Sequence, residues 1–158
     1  MLNMKKLLLS ALILLSSISA PAFSHGAKEG DIMVKHPWMR MVPVAGMNGA
    51  GYMTLTNMSD HQDRLVAIKG DWAKKFEIHE TRDNNGMMEM QPVPEGVALP
   101  PGKTVELQPA GYHVMIMKIE RQIRPGERLP VTLVFERNQQ IDTFIVAQSL
   151  SGNDHEHH

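Results

Sequence analysis

The chain has 158 residues, 16 Lys and Arg against 17 Asp and Glu, a formal net charge of −1 and no cysteine. That length suits one domain with a core of its own, and the balanced charge excludes a basic nucleic-acid surface. The missing thiol excludes disulfide staples, thioredoxin-like redox chemistry and a blue-copper electron-transfer site.

Residues 1–22 carry the three parts of a secretory leader: Lys5 and Lys6, an apolar run from Leu7 to Leu15, and the small-residue sequence Ala20-Pro21-Ala22. The run is too short for a membrane span and no second apolar stretch follows it. Cleavage after Ala22 leaves an exported protein without a membrane span; losing Lys5 and Lys6 with the leader takes the formal charge from −1 to −3. The expected organisation is a leader at 1–22, one domain at 23–148 and a disordered, His-rich tail at 149–158.

From Asp31 to Ala147 short apolar or alternating segments are cut by turn residues, with no long stretch of helical period. The expected strands are 32–36, 51–57, 63–69, 75–81, 87–92, 104–108, 112–118, 130–136 and 141–147. Asn84-Asn85-Gly86, Pro100-Pro101-Gly102, Ala110-Gly111, Pro125-Gly126 and Asn138-Gln139 punctuate them. So many short strands in one domain predict an all-β antiparallel sandwich or barrel. Eleven of the thirteen methionines lie beyond the leader, and isolated ones such as Met33, Met53 and Met58 are expected to fill irregular gaps in the core.

Four other side chains form a set of soft metal ligands. On the strand 112–118, alternation puts His113, Met115 and Met117 on one face and Tyr112, Val114 and Ile116 on the other. A hairpin centred between Asn84 and Asn85 sets His79 directly across from Met90. If Asn85-Gly86 forms a type I′ turn instead, His79 opposes Pro92 and becomes a diagonal neighbour of Met90; either register keeps the two on one face. Imidazole nitrogen and thioether sulfur together suit Cu(I), whereas Mg, Ca and Mn prefer oxygen and structural zinc recruits thiolate. His79, Met90, His113 and Met115 therefore read as a Cu(I) site, with Met88 and Met117 beside it as auxiliary ligands.

With these residues in place, the chain resembles the periplasmic PCu(A)C-type copper chaperones. Their copper motif is a His, a Met about ten residues on, and His-x-Met about twenty further; here ten residues separate His79 from Met90 and twenty-two separate Met90 from His113. His36-Pro-Trp-Met-Arg, Gly49-Ala-Gly-Tyr-Met-Thr-Leu-Thr-Asn57, Leu99-Pro-Pro-Gly102 and Gly111-Tyr-His-Val-Met-Ile-Met117 carry the resemblance across about residues 32–147. The second gap is a residue longer than usual, which the 92–101 loop can absorb. The resemblance implies a cupredoxin-like antiparallel β-sandwich in the periplasm, a Cu(I) carrier and not an enzyme. It also implies delivery to the CuA subunit of cytochrome c oxidase or another copper-assembly protein, and a monomer is expected.

Two Cu(II) sites are expected at the termini. His155, His157 and His158 on the tail offer the nitrogen donors that Cu(II) prefers, and cleavage after Ala22 would put His25 third from a free amine, able to close a square-planar chelate. The rival readings are a copper-tolerance or storage protein using the same site, and a copper enzyme with a histidine brace, which requires cleavage after Ser24 so that His25 begins the chain.

Overall fold

The computed structural model describes residues 26–137 and 139–149. The expected leader at 1–22, His25, and the tail histidines His155, His157 and His158 lie outside the described residues. Eleven strands follow in chain order: β1 (Gly26–Glu29), β2 (Ile32–Arg40), β3 (Gly49–Asn57), β4 (Asp63–Lys69), β5 (Ala73–Asn84), β6 (Met87–Pro92), β7 (Val97–Leu99), β8 (Thr104–Leu107), β9 (Tyr112–Ile119), β10 (Arg128–Phe135) and β11 (Gln140–Gln148). The nine expected strands are all present, most with shifted ends. β1 and the three-residue β7 are additional.

The strands form a continuous ladder in the order β6-β5-β9-β3-β2-β11-β10-β4-β7, with β1 on β2 and β8 on β3. Its pairs are antiparallel except β11 with β2, which run parallel, Val146 opposite Trp38. The ladder encloses one core because alternate residues of nearly every strand are apolar. Val114, Ile116 and Ile119 of β9, Val34 of β2, Leu55 of β3, Leu133 of β10 and Ile145 of β11 are fully buried, each contributing about 1.5–3 kcal/mol on leaving water. Met53 joins this core, but Met58 is 50% exposed beyond the end of β3 and fills no gap.

Two local features shape the face opposite the core. His36-Pro37 makes a bulge in β2, where the register against β3 shifts between Lys35 and Trp38 and His36 takes φ 47°. Proline cannot donate to a ladder, so a bulge is where it is tolerated. Beyond it Trp38 lies opposite Tyr52 with ring centroids 4.6 Å apart. At the β5–β6 hairpin Asn85 and Gly86 have φ 55° and 84°, the double positive φ of a type I′ loop. The pairing is Asn84 with Met87, Thr81 with Met90 and His79 with Pro92, so the second of the two expected registers is the one formed. β6 is the edge of the ladder, and Met87, Met88 and Met90 stand exposed on it at 65%, 55% and 60%.

Candidate metal centre

The centre of the face opposite the core is a direct cross-strand pair: His79 of β5 lies opposite His113 of β9. Strand alternation produces this placement. Ile78 and Val114, one residue away, turn into the core, so His79 and His113 must take the other side. Their ring centroids are 5.9 Å apart, and on the far side of His113 the Tyr52 ring lies at 6.4 Å. One strand step along, Met115 lies opposite Glu77 on β5 and Ala50 on β3. Met90 shares the face as a diagonal neighbour of His79. Met88, two pairs further toward the hairpin tip, lies opposite Asp83 on that face, and Met117 opposite Lys75.

Both histidines are buried, His79 at 9% and His113 at 3% exposure. Each uses one ring nitrogen: His79 Nε2 is 2.9 Å from Glu77 Oε2, and His113 Nδ1 is 3.1 Å from the Gly111 carbonyl. The other nitrogens, His79 Nδ1 and His113 Nε2, are buried without a hydrogen-bond partner. Gln139 Nε2, on a partly buried side chain away from this face, is the third such atom among the described residues, whereas the other two wholly buried polar side chains are satisfied. Asn57 donates to the carbonyls of His61 and Leu99 and accepts from Ser59, and Asp63 accepts from the backbone of Arg64 and Arg137. A buried polar atom left unpaired costs about 1–3 kcal/mol, so two on facing rings mark a place the fold has not optimised for stability alone.

The charges around the pair are few. Glu77 accepts from Lys75 through one oxygen and from His79 through the other. The hydrogen bond from Lys75, then that from His79, holds its carboxyl below the usual carboxylate range. Burial pushes the Tyr52 hydroxyl up, against a smaller opposing pull from Arg40. Among the described residues no three His, Cys, Asp or Glu side chains converge on one point; the soft donors that share the face with the two imidazoles are the thioethers of Met115 and Met90.

All four residues expected from the sequence thus share one face, as do Met88 and Met117. Two neighbours were not anticipated. Glu77 was legible in principle as the residue two before His79 on the same strand; Tyr52, brought to His113 by the β3–β9 pairing, was not.

A family model described as LpqE-like matches residues 32–146. A relative from Leifsonia xyli subsp. xyli, named "Putative lipoprotein Lxx21020", is 26% identical over 135 residues, covering 85% of this chain and 80% of its own. The copper-bound PCuAC domain from PmoF2 superposes with a TM-score of 0.65 at 27% identity, covering 80% of this chain and 99% of that domain. The solution structure of CuI-DR1885 from Deinococcus radiodurans gives 0.56 at 29% identity, covering 71% and 76%. The expected cupredoxin-like β-sandwich is borne out by these neighbours. The chain belongs to the LpqE-like family and has the PCuAC-type fold its sequence resembles.

Proposed function

We propose that this protein is an exported copper chaperone, freed of its leader at residues 1–22, that carries one Cu(I) on His79, His113, Met115 and Met90 and passes it to another copper-handling protein. The observation that carries this reading is the pair of buried, unpartnered imidazole nitrogens on facing strands. A metal ion satisfies both at once, and the soft sulfur beside them favours Cu(I) over harder ions. The copper-bound neighbours support the choice of metal.

The arrangement also suits transfer. Three or four neutral ligands hold Cu(I) without a thiolate charge to anchor it. Met90 is 60% exposed on the edge strand, so it can leave the metal and admit an acceptor's ligand without disturbing the core. Met88, beside it on the same face, is placed to take part in the exchange, whereas Met117 lies on the far side of Met115. The acceptor proposed is the CuA subunit of cytochrome c oxidase in the periplasm. On the same reading His155, His157 and His158, or His25 at a new N-terminus, take Cu(II).

The test is transfer followed spectroscopically. The Cu(I)-loaded protein, mixed with an apo CuA domain, should generate the CuA absorption. A deletion strain should lose oxidase activity and regain it with excess copper. Copper sensitivity with normal oxidase activity would point to storage instead.

A further inference from the structure

The geometry points to Glu77 as a positioning residue that decides which imidazole nitrogen of His79 meets the metal: Nδ1 on His79, against Nε2 on His113. The inference rests on the proposed His/Met copper site and goes beyond it, because the two histidines are held by different partners.

The hydrogen bonds settle the tautomers. An ionised carboxylate has no proton to give, so the 2.9 Å contact between His79 Nε2 and Glu77 Oε2 requires the proton on Nε2. A neutral ring then carries its lone pair on Nδ1, the atom left buried and unpartnered. A backbone carbonyl is likewise only an acceptor, so His113 donates from Nδ1 to Gly111 and carries its lone pair on Nε2, also buried and unpartnered. The two rings face each other across the β5–β9 pair, and each presents a different nitrogen because each is anchored at the opposite ring position.

Glu77 is itself held. Lys75 binds its other oxygen, so the carboxylate is fixed from one side by an ammonium group and from the other by the imidazole. Its strand position is opposite Met115, so one side chain borders a histidine ligand and a methionine ligand together. A carboxylate accepting the distal N–H of a ligating histidine fixes the ring and makes its free nitrogen a better donor. No other carboxylate contacts either ring nitrogen among the hydrogen bonds of the described residues. Losing such a partner lowers metal affinity about 10–100-fold.

The experiment compares wild type, Glu77→Ala and Glu77→Gln as full mature chains, with Cu(I) affinity read by competition with a chromophoric Cu(I) chelator. Imidazole ¹⁵N NMR of the apo and Cu(I)-loaded proteins reads which nitrogen binds. Wild type should show His79 protonated at Nε2 and coordinating through Nδ1. Glu77→Ala should bind Cu(I) about 10-fold or more weakly and let His79 coordinate through a mixture of nitrogens. Glu77→Gln, whose amide oxygen can still accept the Nε2 proton, should retain Nδ1 coordination and lose less affinity. Glu77 is partly exposed, at 26%, and the Gln variant preserves its shape, so misfolding cannot imitate this pattern. Unchanged affinity in Glu77→Ala, or Nε2 coordination of His79 in wild type, would overturn the proposal. His79→Ala and His113→Ala are titrated alongside: if they lose Cu(I) while Glu77→Ala does not, only the role of Glu77 falls, and if they bind normally the His/Met site itself falls.

Discussion

Replacing His113 by Leu should abolish tight Cu(I) binding while leaving the apo fold about as stable as before. His113 is 3% exposed, and an ordinary buried polar side chain is expensive to remove because it strands its partner. Here the ledger differs. The lost hydrogen bond from Nδ1 to the Gly111 carbonyl has a net value of about 1 kcal/mol. That carbonyl keeps the Thr81 backbone N–H at 3.0 Å, so it is not stranded. Against the loss stands relief of the unpartnered buried Nε2, about 1–3 kcal/mol. The apo variant should therefore unfold in urea, with a copper chelator present, within about 1 kcal/mol of wild type or above it. Cu(I) at a hundredfold excess over its dissociation constant should stabilise wild type by about 2.7 kcal/mol and the variant hardly at all. Destabilisation of the apo variant by more than about 2 kcal/mol would show that Nε2 has a structural partner; retained copper-dependent stabilisation would show that it is not a ligand.

Leu in place of both Met90 and Met115 preserves bulk, so apo stability should fall by less than about 1.5 kcal/mol while Cu(I) affinity drops, measured by the same chelator competition; unaltered affinity removes the thioethers from the site. Glu127 is held below the usual carboxylate range by the Arg124 backbone N–H first and by Arg121 second. It therefore stabilises the fold above its ordinary value of 4.5 and stops doing so as pH falls through the lowered one. The urea-stability difference between wild type and Glu127→Gln should shrink on acidification below pH 4.5; a constant difference would refute the linkage. Gly96 has φ 80°, and a Cβ there would come within 2.0 Å of the Leu65 carbonyl oxygen. Gly96→Ala should cost about 3 kcal/mol, far more than Gly86→Ala, which has an equally positive φ but open space around it, and equal urea midpoints for the two would contradict the structure.

How much of this was legible in the sequence follows from the range of each interaction. Alternation along 112–118 placed His113, Met115 and Met117 on one face and Val114 and Ile116 in the core, because strand period is a local property. The hairpin left two registers open, since Asn84-Asn85-Gly86 contains two candidate two-residue loops. The positive φ of Asn85 and Gly86 decides between them and moves Met90 from directly opposite His79 to the diagonal. β7 went unseen because three residues carry no period, and β11 joins β2 in parallel, a pairing no turn announces. The alignment of His79 with His113 depends on β5 pairing with β9 across more than thirty residues, so the sequence joins the two strand pairs into one set by ligand chemistry alone and cannot give the register that brings the two imidazoles face to face. The unpartnered nitrogens and the hold of Glu77 on His79 exist only once that pairing is made.

The proposed site holds one Cu(I) between the facing histidines, with thioether sulfur completing its shell. X-ray absorption on the mature chain, loaded under chelator competition, tests it most directly. The expected result is one tightly held Cu(I) per chain with both imidazole nitrogen and sulfur scatterers, the sulfur contribution falling when Met115 and Met90 are replaced. Failure to hold stoichiometric Cu(I) against the chelator, or a shell of nitrogen and oxygen alone, would contradict it.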